Sequence, residues 1–490
     1  MSLSGSQAHQ AFADAREVLQ RYRADPSSKP PGFRFVPERY EGELGLDPVE
    51  RAPISWDGPV GGDTIVAAAG RLGRSEQSCH ELVGEALVAV EKYDAPLNGV
   101  VALDAERALA VATELDRELA AGTSRGPLHG IPITVKDIID VAGLPTGAGS
   151  DAYADMPGVD AAGVARLRAA GAVILAKVTT HEFALGVTTP QSRNPHDATR
   201  IPGGSSGGSA IAVATGMSLG SLGTDTRASI RVPAALSGVV GFKATFGAIP
   251  TQGVVPLSWT MDHVAPMART VHDTVLMLDV LMDKPNLSRF VGASVEGMRI
   301  GPSEAAFEGC EPDVELAVHD ALRTLSDLGC QVGSSSLPSG PDLAQANAAG
   351  LLVSRCEAAT FHRSLGLDRS LYWQEVAEQL EEAERVIAMD YLDAQRLRVD
   401  LGQRLLRAFE SHDVLAMPTS IVVAPPVEDF ARYLTVLSRN AIPWSFLGFP
   451  ALSLPCGMTP QGLPVGLQLV APPGCEARLV ALGTALERAL

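Results

Sequence analysis

The sequence predicts one large α/β layered body. Three observations carry this. Short apolar runs of strand length alternate with helical stretches along most of the chain. The composition is 46% hydrophobic and 5% aromatic with 48 glycines, which suits a packed α/β enzyme better than a fibrous or disordered chain. The runs at 414–417, 451–454 and 465–470 are predominantly apolar, as strands buried on both faces are. A length of 490 residues alone would allow about three ordinary domains, so the alternation decides for one layered unit.

In chain order, residues 1–25 read as a helix. Ala8, Phe12, Ala15, Leu19 and Tyr22 recur at helical spacing, and Asp25-Pro26 ends it. Residues 26–62 are rich in Pro, Gly and Glu without periodicity, which reads as a wrapping arm. Residues 1–62 thus form an N-terminal extension suited to a contact between protomers, and a homodimer fits that role. The regular part, 63–490, begins near Asp63. Ser78 and Glu81 form a capping box ahead of Leu82, Ala86, Leu87 and Val90. A helix is expected over 105–121, a strand over 131–136, a helix over 162–170 and a buried strand over 173–176. Residues 352–411 are mostly helical and carry no chemistry by pattern.

The formal charge of −18 argues against a nucleic-acid partner, whose phosphates favour basic surfaces. Six scattered cysteines without CxxC spacing read as free thiols in a reducing, cytoplasmic setting. No basic segment followed by an apolar core opens the chain, so no signal peptide is expected. No 18-residue uncharged apolar stretch is present, so no membrane partner is expected. No His and carboxylate cluster has metal-ligand spacing, and no cofactor is expected.

The chemistry concentrates in two blocks. Gly203-Gly204-Ser205-Ser206-Gly207-Gly208-Ser209 is a Gly/Ser run leading at once into an apolar helix. Residues 223–233 form a second, polar and strand-like segment that carries Ser229. A phosphate loop would need a lysine that the run lacks. The run matches a nucleophile elbow twice, around Ser205 and Ser206, but an elbow follows a buried strand and residues 194–202 are a loop. What survives is a glycine-rich loop that lets backbone approach a ligand and aims hydroxyls inward. A serine needs a base, and a buried lysine of depressed pKa can serve. Lys136, at the end of the 131–135 apolar run, fits both that role and that of an ordinary strand-end lysine. Ser206 fits a site hydrogen bond and a loop-shaping role equally.

With these blocks on view, the chain resembles the amidase signature family. The Gly-Gly-Ser-Ser-Gly-Gly block is matched at 203–208. The Asp-x-Gly-Gly-Ser-Ile-Arg-x-Pro block is matched at Asp225, Ser229, Ile230, Arg231 and Pro233. The Gly-x-Pro-x-x-x-Lys-Asp element is matched at Gly130, Pro132, Lys136 and Asp137. Family-like segments cover roughly 63–490. The resemblance implies an α/β/α sandwich on a mixed, twisted sheet, forming the catalytic domain. It implies a serine hydrolase that cleaves the C–N bond of a small amide without cofactor. Ser229 would be the nucleophile and Ser205 a bridging serine after a cis peptide from Gly204. Lys136 would be the proton acceptor. The oxyanion hole would come from the N–H groups of Thr226, Arg227, Ala228 and Ser229, with Ser206, Asp225, Arg231 and Gly204 in support. The alternatives within the family are carbamate or urea-derivative hydrolysis, a non-catalytic member, and an amidotransferase A-type subunit. The family usually carries glycines where this chain has Arg227 and Ala228. Left-handed backbone there would strain both residues. Ordinary dihedrals would leave the hole intact and narrow the pocket, and a guanidinium beside the nucleophile could bind a substrate carboxylate. His129, His181 and His263 read as structural hydrogen-bonders. Phe183, Trp259, Trp444 and Phe446 fit either core packing or an apolar acyl pocket.

Overall fold

The protein is described by a computed structural model over residues 5–24, 45–48, 63–283 and 286–490. The arm expected over 26–62 lies outside the described residues apart from 45–48.

One mixed sheet of eleven strands organises the described residues. Its strands are β1 (Val100–Leu103), β2 (Pro132–Lys136), β3 (Val173–Val178), β4 (Gly220–Asp225), β5 (Val240–Lys243) and β6 (His263–Ala268). They continue with β7 (Arg299–Pro302), β8 (Gln331–Val332), β9 (Val414–Pro418), β10 (Ala451–Met458) and β11 (Pro464–Val470). The spatial order is β1-β3-β2-β4-β6-β5-β10-β11-β9-β7-β8. β3, β2 and β4 run parallel, as do β9, β7 and β8, while the centre from β4 through β9 is antiparallel. β2 through β6, β9 and β11 are buried along their whole length, which requires cover on both faces. Helices Gly207–Thr215, Arg231–Ser237, Val271–Leu281, Pro312–Asp327 and Glu476–Ala489 pack against the strands.

The first described helix is Gly5–Ala24. Ala8, Phe12, Ala15, Leu19 and Tyr22 form its buried face. That face rests on helices Gly340–Leu365, Gln374–Glu384 and Ala388–Leu406 and shares their apolar core. The Ser78–Glu81 capping box is formed in both directions.

The strand-like segment at 223–233 is strand only at its start. β4 ends at Asp225, and the chain turns and enters helix Arg231–Ser237. The reason is local: the Asp225 carboxylate accepts from Ile230 N at 3.2 Å and from Arg231 Nε at 3.0 Å, folding the segment back on itself. Ser229 therefore sits on a turn at the C-terminal end of a central strand, where the sheet can present it.

Candidate active site

β2 carries Lys136 into the interior, where the side chain is wholly buried. Its Nζ donates to Ser205 Oγ at 2.7 Å and to Thr224 Oγ1 at 2.9 Å. Burial pulls its amine down to about 7, against the opposing charges of Asp225 and Asp262. Two other lysines are equally buried. Lys177 is paired with Asp137 at 3.1 Å, and Lys243 donates to the Phe449 carbonyl. Lys136 differs from both in donating to two hydroxyls. An amine near neutrality held against a hydroxyl has the chemistry to accept its proton.

The Gly/Ser run delivers that hydroxyl. The peptide between Gly204 and Ser205 is cis. A side chain at Gly204 would collide with the Thr188 carbonyl, so only glycine lets the loop lie this close. Ser205 is fully buried, and its carbonyl accepts from His181 N at 3.2 Å. Ser206 ties the run to the second block: its N donates to Ser229 O at 3.3 Å and its Oγ to Thr224 O at 3.2 Å. Ser206 thus shapes the loop with both its backbone and its side chain.

The turn from Thr226 to Ile230 is clamped at both ends. Arg231 grips Asp225 bidentately, Nε to Oδ2 and Nη2 to Oδ1, each at 3.0 Å, with both side chains fully buried. Ser445 Oγ adds a bond to Asp225 Oδ1 at 2.6 Å, and Arg231 reaches Gln468 Oε1 at 2.6 Å. Burial alone would raise the Asp225 carboxyl. The charge and hydrogen bonds of Arg231, helped by Lys243 and Ser445, hold it well below the usual carboxylate range. Thr226 Oγ1 donates to Asp262 at 2.6 Å. Burial raises the Asp262 carboxyl to about 7 against that bond and the N–H groups of Ser258 and Leu257. Between these anchors the N–H groups of Thr226, Arg227, Ala228 and Ser229 make no hydrogen bond to a described residue. Ser229 is 3% exposed.

The amidase family model matches residues 81–480.

The chain belongs to the amidase family.

It is 36% identical over 470 residues to an A-type subunit of the glutamyl-tRNA(Gln) amidotransferase of Chloroflexus aurantiacus, covering 87% of this chain and 96% of the relative. It is 35% identical over 450 residues to an amidase of Pseudomonas putida, with the same two coverages, 87% and 96%. A crystal structure of an amidase superposes with a TM-score of 0.79 at 34% identity, over 87% of this chain and 100% of that one. The eleven-stranded mixed sheet is accordingly the amidase signature fold.

In this amidase-family chain Arg227 and Ala228 do not take left-handed backbone. The non-glycine residues with positive φ among those described are Ser75, Asn98, Ala148, Phe183, Ala184 and Asn286. The Ala228 methyl is buried in an apolar cluster with Val187, Ile201, Val232 and Leu236. Arg227 lines a cavity of about 660 Å³. The three histidines are structural. His129 bonds Arg125 N and Leu115 O, His181 pairs with Glu375, and His263 Nδ1 meets the carbonyls of Asp225 and Met261. Phe183, Trp444 and Phe446 are core side chains, and Trp259 is half exposed. Sequence reading missed Thr224 and Asp262. Thr224, within the second block, had a positional signal; Asp262 is brought in from distant chain.

Proposed function

We propose that this chain hydrolyses the C–N bond of a small linear amide through an acyl-enzyme on Ser229. The observation that carries the reading is the 2.7 Å bond from buried Lys136 to Ser205, on a loop tied to the Ser229 turn. Ser229 Oγ attacks the carbonyl carbon. Its proton passes to Ser205 Oγ, whose own proton moves to Lys136 Nζ, since a hydroxyl donates and accepts at once. The developing oxyanion meets the N–H groups of Thr226, Arg227, Ala228 and Ser229, a type of contact worth several kcal/mol. Collapse breaks the C–N bond as Lys136 returns the proton through Ser205 to the leaving amine. Water then releases the acid by the same relay. Carbamates and urea derivatives present a similar carbonyl to the same groups and fall within this proposal. No group in the scheme requires a cofactor.

The test is covalent labelling with a fluorophosphonate. The expected outcome is one adduct on Ser229, absent in Ser229→Ala. A folded, unlabelled protein would count as a non-catalytic family member. A second reading, an amidotransferase component, is favoured by the 36% identical amidotransferase relative. Arg227 and Ala228 in the turn and the long N-terminal extension speak against it. We further propose residues 63–490 as the catalytic unit and 1–62 as an extension with a homodimer contact, its helix Gly5–Ala24 packing on the helices of the same chain. A cytoplasmic setting is supported by six unpaired cysteines. None of the described helices is long and apolar enough to cross a membrane.

A further inference from the structure

Arg355 lies on helix Gly340–Leu365 and is 4% exposed. Its Nε donates to Gln379 Oε1 at 2.7 Å and its Nη2 to the Leu185 carbonyl at 3.1 Å, which fixes the plane of the guanidinium. Its third nitrogen, Nη1, is buried and has no hydrogen-bond partner among the described residues. The same is true of Arg227 Nε. Both arginines line the cavity of about 660 Å³, together with Leu185, Thr188 and Gln379. Neither makes an ion pair among the described residues. Glu375, in the same wall, is engaged by His181 at 2.8 Å. Burial depresses the Arg355 guanidinium most, the like charge of Arg227 adds to that, and the Glu375 carboxylate offsets only part of it.

Two buried, mutually repelling guanidiniums with idle N–H donors are unfavourable unless an anion completes them. The idle guanidinium N–H donors match the oxygens of a carboxylate, a common anionic group of small amides. Ser229 is not part of this cavity's lining, but the cavity adjoins its turn. Arg227 stands two residues before Ser229, and Thr188 is the residue whose carbonyl crowds Gly204. The cavity wall is thus continuous with the turn that carries Ser229.

We propose that this cavity is the subsite for a carboxylate carried by the amide substrate, with Arg227 and Arg355 as its two cationic contacts. The inference rests on Ser229 as the proposed nucleophile and names the substrate class as acidic amides. The carboxylate belongs either to the acyl part or to the leaving amine, and two substrate pairs separate these. Succinamate is compared with neutral 4-methylpentanamide, and N-acetylglycine with neutral N-isobutylacetamide. Wild type is expected to prefer one acid over its neutral partner in kcat/KM. That preference is expected to fall at least about tenfold in Arg227→Met and in Arg355→Met, as loss of a charged hydrogen bond predicts. Arg355→Lys should restore part of it. The acid that shows the preference assigns the side of the scissile bond. No preference for either acid, or an equal fall for acid and neutral partner, overturns the subsite.

Folding of the Arg355 variants is checked by circular dichroism, and Arg227→Met supplies the same test from the opposite wall. Succinate binding by calorimetry, measured on Ser229→Ala, keeps the two proposals apart. Binding weakened at least about tenfold by adding Arg227→Met, without any Ser229-dependent turnover, would leave the subsite standing and remove the hydrolase. Ser229-dependent turnover of neutral amides without succinate binding would do the reverse.

Discussion

Lys136 sets the pH behaviour of the proposed reaction. As the proton acceptor it must be neutral, and burial brings its amine to about 7. The expected kcat/KM for a neutral amide rises with pH and levels above a midpoint near 7, read from a pH–rate profile. A flat profile across about two units on either side of that midpoint would remove Lys136 from the relay. The same shift has a stability sign. The folded pKa lies below the unfolded value of about 10.4, so the unfolded state binds the extra proton between them and stability climbs as pH rises through that window. Below the folded pKa the full penalty of the buried ammonium is present. Lys136→Met should therefore lower turnover by about 10²–10⁴-fold while raising the thermal midpoint, with most of the gain below about pH 7 and little above about pH 10. At this scale the sequence was informative where neighbours in the chain make the site. Ser205, Ser229 and Lys136 each stand in a local motif. The backbone at Arg227 and Ala228 was undecidable from types alone, because a turn can hold such residues in ordinary backbone or, at a cost, in left-handed backbone. Arg355 was invisible, since its role depends on Gln379 and Leu185, which the fold brings to it.

Among the elements, the turn between β4 and helix Arg231–Ser237 depends most on a single pair. Asp225 and Arg231 are both buried, and the pair closes around the residues that offer free N–H groups. Removing one partner leaves the other charge uncompensated, which costs about 3–5 kcal/mol, more than a surface pair would. Asp225→Ala is expected to lose about that much in urea denaturation. It should also lose activity in the fraction that remains folded, because Ile230 N and the turn lose their anchor. A loss under about 1 kcal/mol would show that the turn is held by other contacts. Elements with their own sequence signal were legible. The buried face of helix Gly5–Ala24, the Ser78–Glu81 cap and the apolar strands β2, β3, β9 and β11 all follow from periodicity or runs. β4 was half legible. Its residues, Gly220-Ser221-Leu222-Gly223-Thr224-Asp225, have little strand propensity and gain their state by burial between β2 and β6. β5, β7 and β8 are two to four residues long and bear no pattern of their own.

For the molecule as a whole, the question is whether one chain suffices. β2 gives Lys136, the 203–209 loop gives Ser205, and the turn after β4 gives Ser229 and the free N–H groups, so every group in the proposed relay comes from this chain. A net charge of −18 disfavours tRNA, since phosphate contacts dominate such binding. The purified chain by itself is therefore expected to turn over small amides at an ordinary enzymatic rate, about 1–10³ s⁻¹, with no other polypeptide present. It should not retain tRNA at about 0.15 M salt, where weak electrostatic contacts are screened. Activity and molar mass are read together, by assay of fractions from size exclusion with light scattering. If Ser229 takes the fluorophosphonate while amide turnover stays at the uncatalysed level, the nucleophile works but lacks something outside the chain. Rescue by added partner polypeptides and glutamine would then move the assignment to an amidotransferase component. Turnover by the isolated chain, whether it elutes as a monomer or a dimer, excludes that dependence, since a second copy brings no new kind of residue to a site already complete.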